Sequence, residues 1–106
     1  MPTDPDSIKA LTEAMHAFVA SKGWYDDESP KAQTPRNLAI SLSLEASEVL
    51  EHFQWGDHVD DKEALASELA DVMLYLMQLA SIADIDLGEA VLAKLEVNQR
   101  RQWDQK

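Results

Sequence analysis

Helix breakers are scarce in this chain, and they fall where helices begin or end. There are three glycines and four prolines, and between Pro35 and Gly88 the only one of either is Gly56. A chain so poor in turn residues cannot build the closely spaced hairpins of an all-β domain. No Asn-Gly or Asp-Gly pair occurs, and no long apolar–polar alternation does. Apolar residues recur instead at three- and four-residue steps, as on the buried face of a helix. The expected class is all-α.

Four helices are predicted. The first runs from about Pro5 to Lys22, with Asp4 as its cap and Pro5 at the first helical position. Ile8, Leu11, Met15, Phe18 and Val19 form its stripe, and Gly23 stops it. Residues 24–33 form a polar loop. Thr34 caps a second helix that opens on Pro35 and continues to about Phe53, where Trp55-Gly56-Asp57 ends it. Asp60 and Glu63 have capping-box spacing and open a third helix to about Ala83. Asp86 and Glu89 repeat the device for a fourth, ending near Arg101. Helices two and three are richly apolar and joined by a short turn, which predicts antiparallel packing. The 106 residues suit one domain covering 1–106, a four-helix bundle subunit. A core this small is expected to be completed by contacts between subunits.

Charge and composition narrow the partners. The formal net charge is −11, which opposes binding to a nucleic-acid polymer, since that requires clustered Lys and Arg. It does not oppose a nucleotide whose charge is met by a bound cation. The absence of cysteine removes disulfides, zinc-thiolate sites and thiol nucleophiles. The start, Met1-Pro2-Thr3-Asp4, is acidic and has no apolar leader segment. The longest apolar region, Val72 to Leu79, is too short for a membrane span. The expectation is a cytoplasmic protein with no membrane partner.

Most of the acidic residues have an ordinary place. Asp26, Asp27 and Glu28 lie in the loop, and Asp60, Asp61 and Glu63 open a helix where the dipole favours negative charge. Two pairs in the middle of helices do not. Glu45 and Glu48 share a helix face amid Leu38, Leu42, Leu44, Val49, Leu50 and Phe53. Glu68 and Asp71 do the same amid Leu65, Leu69, Val72, Met73 and Leu76. Taken singly, each pair reads as solvated helix surface. On two antiparallel apolar helices the four carboxylates can converge, where they repel one another and resist desolvation. A hard cation removes both problems, and Mg²⁺ takes such oxygen ligands together with water and substrate phosphates.

The order of residues around these pairs resembles the MazG-like all-α nucleotide pyrophosphohydrolases, in particular their short dCTP pyrophosphatase-like branch. The family pattern is E-x-x-E, a spacer, then E-x-x-D. Here it is Glu45-Ala-Ser-Glu48, 19 intervening residues, then Glu68-Leu-Ala-Asp71. Thr34-Pro35-Arg36-Asn37-Leu38 precedes the first pair and His52-Phe53-Gln54-Trp55 follows it. Tyr75 lies four residues past Asp71, and Lys94, Asn98 and Arg101 follow in the last helix. The likeness covers about residues 8–103. It implies the all-α NTP pyrophosphatase fold as an obligate oligomer whose neighbouring subunits close the site; a four-helix subunit this small is expected to form a homodimer or homotetramer. It also implies Mg²⁺-dependent hydrolysis of a nucleoside triphosphate to the monophosphate and pyrophosphate.

The resemblance assigns roles by position. Glu45, Glu48, Glu68 and Asp71 would be the metal ligands. Trp55 and Tyr75 would line the nucleotide pocket, with Trp24 as a further candidate. Lys94 and Asn98, with Arg101, would meet the phosphates. Each has a plainer reading: Trp55 as packing, Tyr75 as core with its hydroxyl at the rim, and Lys94 and Arg101 as complements to a helix dipole. Two departures bear on specificity. Leu44 stands where some relatives carry a further Glu, and Ala32-Gln33 stand where relatives often carry an aromatic and a His. The expected substrates are dCTP and its modified forms, with dUTP and dATP open.

The expected general base is Glu48 or Glu45, and one, two or three Mg²⁺ ions fit the pattern. His16, His52 and His58 are not expected to be ligands. Glu13 and His16 form E-x-x-H, but the di-iron carboxylate bundles need two such motifs and the chain has one. The rival reading is a non-catalytic helical interaction or nucleotide-binding module, with solvated acidic faces and stripes that bury a partner.

Overall fold

The structure is a computed structural model that describes residues 4–101; Met1-Pro2-Thr3, part of the acidic start, lie outside the described residues. Four helices follow in order: α1 (Ile8–Ser21), α2 (Pro35–Glu51), α3 (Lys62–Ile82) and α4 (Leu87–Arg100). The described residues contain no strand. The all-α expectation holds.

Each helix starts on a side-chain cap. Ser7 Oγ accepts from Ala10 N–H, Thr34 Oγ1 from Asn37 N–H, Asp61 Oδ1 from Ala64 N–H and Asp86 Oδ1 from Glu89 N–H, at 3.0–3.1 Å. Two of these differ from the sequence expectation. Asp4 spends its carboxylate on Asp6 N–H in a turn ahead of the helix, so the cap passes to Ser7. Asp60 lies one residue outside, and Asp61 caps α3 with Glu63 in the first turn.

Two helices end alike. After α1, Gly23 has φ 73°, and the Trp24 and Gly23 amides bond back to Val19 and Ala20 carbonyls. After α3, Ile85 and Asp84 amides bond back to Ala80 and Ser81, with Asp84 at φ 61°. Both are Schellman closures; the first uses the residue suited to that backbone and the second does not.

α2 and α3 make the most extensive helix pair, and α1 packs on α3. Numbering runs up α2 as it runs down α3, since His52 meets Glu68 while Glu45 meets Asp71. The pair is antiparallel, as expected. The core is small: Met15, Val19, Leu38, Met77 and Ala80 are its buried apolar residues, and α4 buries none.

The single chain leaves much apolar surface open. Its accessible area is 8363 Å², against about 6,000 Å² for a compact chain of this mass. The radius of gyration is 16.4 Å, against about 13 Å. α3 is by length and composition apolar enough to cross a membrane, with a mean hydropathy of 1.3 over its best window, and only 17% of that window is buried. The helix outruns the Val72–Leu79 run because Leu65, Leu69 and several alanines extend it. It also carries Glu68 and Asp71, each in polar contact with α2, an arrangement costly in hydrocarbon.

Candidate active site

The two central helices present matching triads. Glu45 and Glu48 on α2 and His52 at its C-cap stand at i, i+3 and i+7; on α3, Glu68, Asp71 and Tyr75 repeat that spacing. Residues so spaced lie along one helix face. Antiparallel packing sets the two faces together.

Glu45 is the hub. Its carboxyl lies within hydrogen-bonding reach of both Glu48 and Asp71. Loss of water at the seam, followed by the hydrogen bond and charge of Glu48 and then of Asp71, pushes the Glu45 pKa up to about 7 from 4.5. Glu68 is held differently. His52 Nε2 donates to Glu68 Oε1 at 3.0 Å, with the side chains 16% and 23% exposed. The other oxygen, Glu68 Oε2, is buried without a hydrogen-bond partner.

Among the described residues, no three His, Asp or Glu side chains are drawn together tightly enough to enclose a metal ion. The donor set nevertheless fits a hard cation. All four side chains offer carboxylate oxygens, one oxygen is buried and unsatisfied, and one carboxyl resists ionisation beside two others.

Next to the carboxylates opens a cavity of about 830 Å³, lined by Phe18, Trp24, Gln33, Leu38, Asp71 and Tyr75 among others. That is the size and mainly apolar character of a small-molecule site. Asp71 belongs to both the cavity wall and the carboxylate cluster. The outer wall is the segment after α1. Trp24 packs edge-on against Phe18 at 5.7 Å, and Lys31 Nζ lies 4.9 Å above its ring. Behind this wall Gln78, 3% exposed, donates to Tyr25 OH at 3.2 Å and to Gln33 Oε1 at 2.7 Å. Tyr25 OH also meets His16 Nδ1, whose Nε2 reaches Ser81 Oγ at 2.8 Å. Burial raises the Tyr25 hydroxyl above its ordinary pKa, with the Gln78 bond opposing.

The residues singled out from sequence thus fall into two groups. Glu45, Glu48 and Asp71 come together, Glu68 joins α2 through His52, and Trp24 and Tyr75 line the cavity. Trp55, 92% exposed, does not line it within one chain, and neither do Lys94, Asn98 and Arg101 on and after α4. Sequence reasoning missed His52 and Gln78. His52 had a readable signal, the same i+7 offset from Glu45 that Tyr75 has from Glu68. Gln78 had none, because its partners lie 45 and 53 residues away.

The raised Glu45 pKa sets a pH dependence. Between 4.5 and about 7 the folded chain holds a proton that the unfolded chain has released, so stability falls as pH rises through that window. In EDTA the melting temperature is expected to fall from pH 5 to pH 7.5. Glu45→Gln is expected to flatten the fall; an unchanged slope in thermal scans would contradict the assignment.

Comparison with known proteins gives the family and the fold. The model of the MazG-like family matches residues 40–106. Human dCTP pyrophosphatase 1 is 37% identical over 97 residues, covering 82% of this chain and 54% of the human protein. A dATP/dGTP diphosphohydrolase of Salmonella phage PMBT28 is 42% identical over 81 residues, covering 76% of this chain and 24% of the phage protein. The chain spans about half the length of the mammalian relatives it matches. The crystal structure of a pyrophosphatase from Archaeoglobus fulgidus superposes with a TM-score of 0.78 at 34% identity, covering 98% of this chain and 99% of that one. With its carboxylate pairs facing across two antiparallel helices, the chain belongs to the MazG-like family.

Proposed function

We propose that this chain hydrolyses a (deoxy)nucleoside triphosphate to the monophosphate and pyrophosphate in an Mg²⁺-dependent reaction, with dCTP-like substrates favoured. The observation that carries the reading is Asp71, which joins an aromatic-lined cavity to a cluster of carboxylates. A base in the cavity would direct its phosphates toward the cluster. The family membership and the names of the relatives support the same reaction class.

Glu45, Glu48, Glu68 and Asp71 would hold the ion, which when bound supplies neutralisation of phosphate charge and acidification of the attacking water. The chain's own residues do the rest. Glu48 or Glu45 orients that water and takes its proton. Trp24 and Tyr75 form the walls for the base, and Gln33 is fixed at the rim by Gln78. The open apolar faces of α3 and α4 associate with further copies of the chain. Trp55, Lys94, Asn98 and Arg101 then meet the nucleotide from across that interface, with the cations facing phosphate.

The test is pyrophosphate release from a panel of canonical and modified nucleoside triphosphates, with Mg²⁺ and with EDTA. Release that needs Mg²⁺ and is greatest with dCTP or a modified dCTP is expected. No release from any member by folded protein that fails to bind Mg²⁺ would favour the non-catalytic helical module.

A further inference from the structure

The two oxygens of Glu68 have unequal surroundings. Oε1 accepts the His52 Nε2–H bond at 3.0 Å, while Oε2 is buried and has no hydrogen-bond partner. A buried carboxylate oxygen left unmade is costly, so native structures seldom keep one without a use. His52 sits just past the last turn of α2, as its C-cap, and is itself mostly buried, so its ring is confined. With Oε1 tied down, a flexible glutamate is reduced to one arrangement of its second oxygen.

We infer that His52 is a positioning residue for Glu68, tying Oε1 so that buried Oε2 is kept as a preset ligand oxygen for the divalent cation. The inference rests on the metal-site reading above and adds to it a residue that is no ligand. The chemistry is that of an outer partner that orients a ligating side chain, whose loss typically weakens metal binding about 10–100-fold. The Nε2 nitrogen must carry a proton, because the carboxylate only accepts.

The experiment is Mn²⁺ titration followed by electron paramagnetic resonance of free Mn²⁺. It compares wild type, His52→Phe, His52→Gln and Glu68→Gln, each checked for folding by circular dichroism in EDTA. His52→Phe keeps a ring and loses the donor; His52→Gln keeps an amide donor near the Nε2 position. His52→Phe is expected to raise the Mn²⁺ Kd about 10–100-fold, with His52→Gln recovering most of the loss. A purely structural hydrogen bond would lower the melting temperature and leave Kd unmoved, and that result would overturn the inference. So would equal losses in both His52 variants. Glu68→Gln binding Mn²⁺ like wild type would instead remove Glu68 from the metal site, a failure of the underlying reading. Should His52→Phe not fold, long-range ¹H–¹⁵N spectra of the wild-type imidazole decide: a protonated Nε2 is expected, and an unprotonated one overturns the assignment.

Discussion

Glu48→Gln is expected to slow pyrophosphate release by about 10²–10⁴-fold, the usual loss when a positioned acid–base group is removed, while the apo protein stays folded and is at least as stable at neutral pH. The two halves of this result come from one geometry. Glu48 is on the exposed edge of the cluster, so the amide costs little packing. It is also the first of the charges that hold Glu45 above its ordinary pKa, so removing it relieves repulsion at the seam. A residue kept for stability would behave in the opposite way, losing stability along with rate. Pyrophosphate release and thermal melting in EDTA, measured on the same preparations, separate the cases. Release at the wild-type rate would exclude Glu48 from catalysis. Loss of rate with a large fall in melting temperature would make the carboxylate structural.

The parts of the site legible in the sequence are those fixed by spacing along one helix. Glu45 with Glu48, and Glu68 with Asp71, share faces whatever the tertiary structure does, and the two helices pack antiparallel although the link between them, residues 52–61, is longer than the short turn expected. Boundaries were legible where a single cap was available, as at Thr34 and Asp86, and slipped where two candidates competed, as at Asp4 and Ser7 or Asp60 and Asp61. The wall of the cavity was not legible. Gln78 ties Gln33 and Tyr25 across the fold, and a buried glutamine in an apolar helix gives no periodic sign of its partners. The four carboxylates do not converge on one point, since Glu68 is turned to His52 while Glu48 and Asp71 meet Glu45. Trp55 and Lys94 are exposed in the single chain, away from the cavity.

The second large effect concerns that open surface. Leu69→Glu is expected to turn an oligomer into a destabilised monomer. Leu69 and Leu76 stand seven residues apart on α3 at 51% and 36% exposure, and Leu92 and Leu95 on α4 are 63% and 51% exposed. The chain's excess of accessible area, 8363 Å² against about 6,000 Å² for a compact domain of its mass and so about 2,400 Å², is of the order that a large, permanent interface removes from each partner. Water does not leave so many leucines bare without cost, and a second copy offers the same apolar face in return. In a two-fold assembly the substitution enters twice. Each copy forfeits about 1.5–3 kcal/mol of leucine burial and must desolvate a carboxylate besides. Association weakened by roughly 10²–10⁴-fold follows from the apolar loss alone. Light scattering across a dilution series should give wild type a multiple of the 11.9 kDa chain mass and the variant the chain mass itself. Nucleotide turnover should be lost with the assembly if Trp55 and Lys94 act across the interface. Wild type that runs as a monomer while hydrolysing nucleotide would refute the assembled site and confine catalysis to the cavity and carboxylates of one chain.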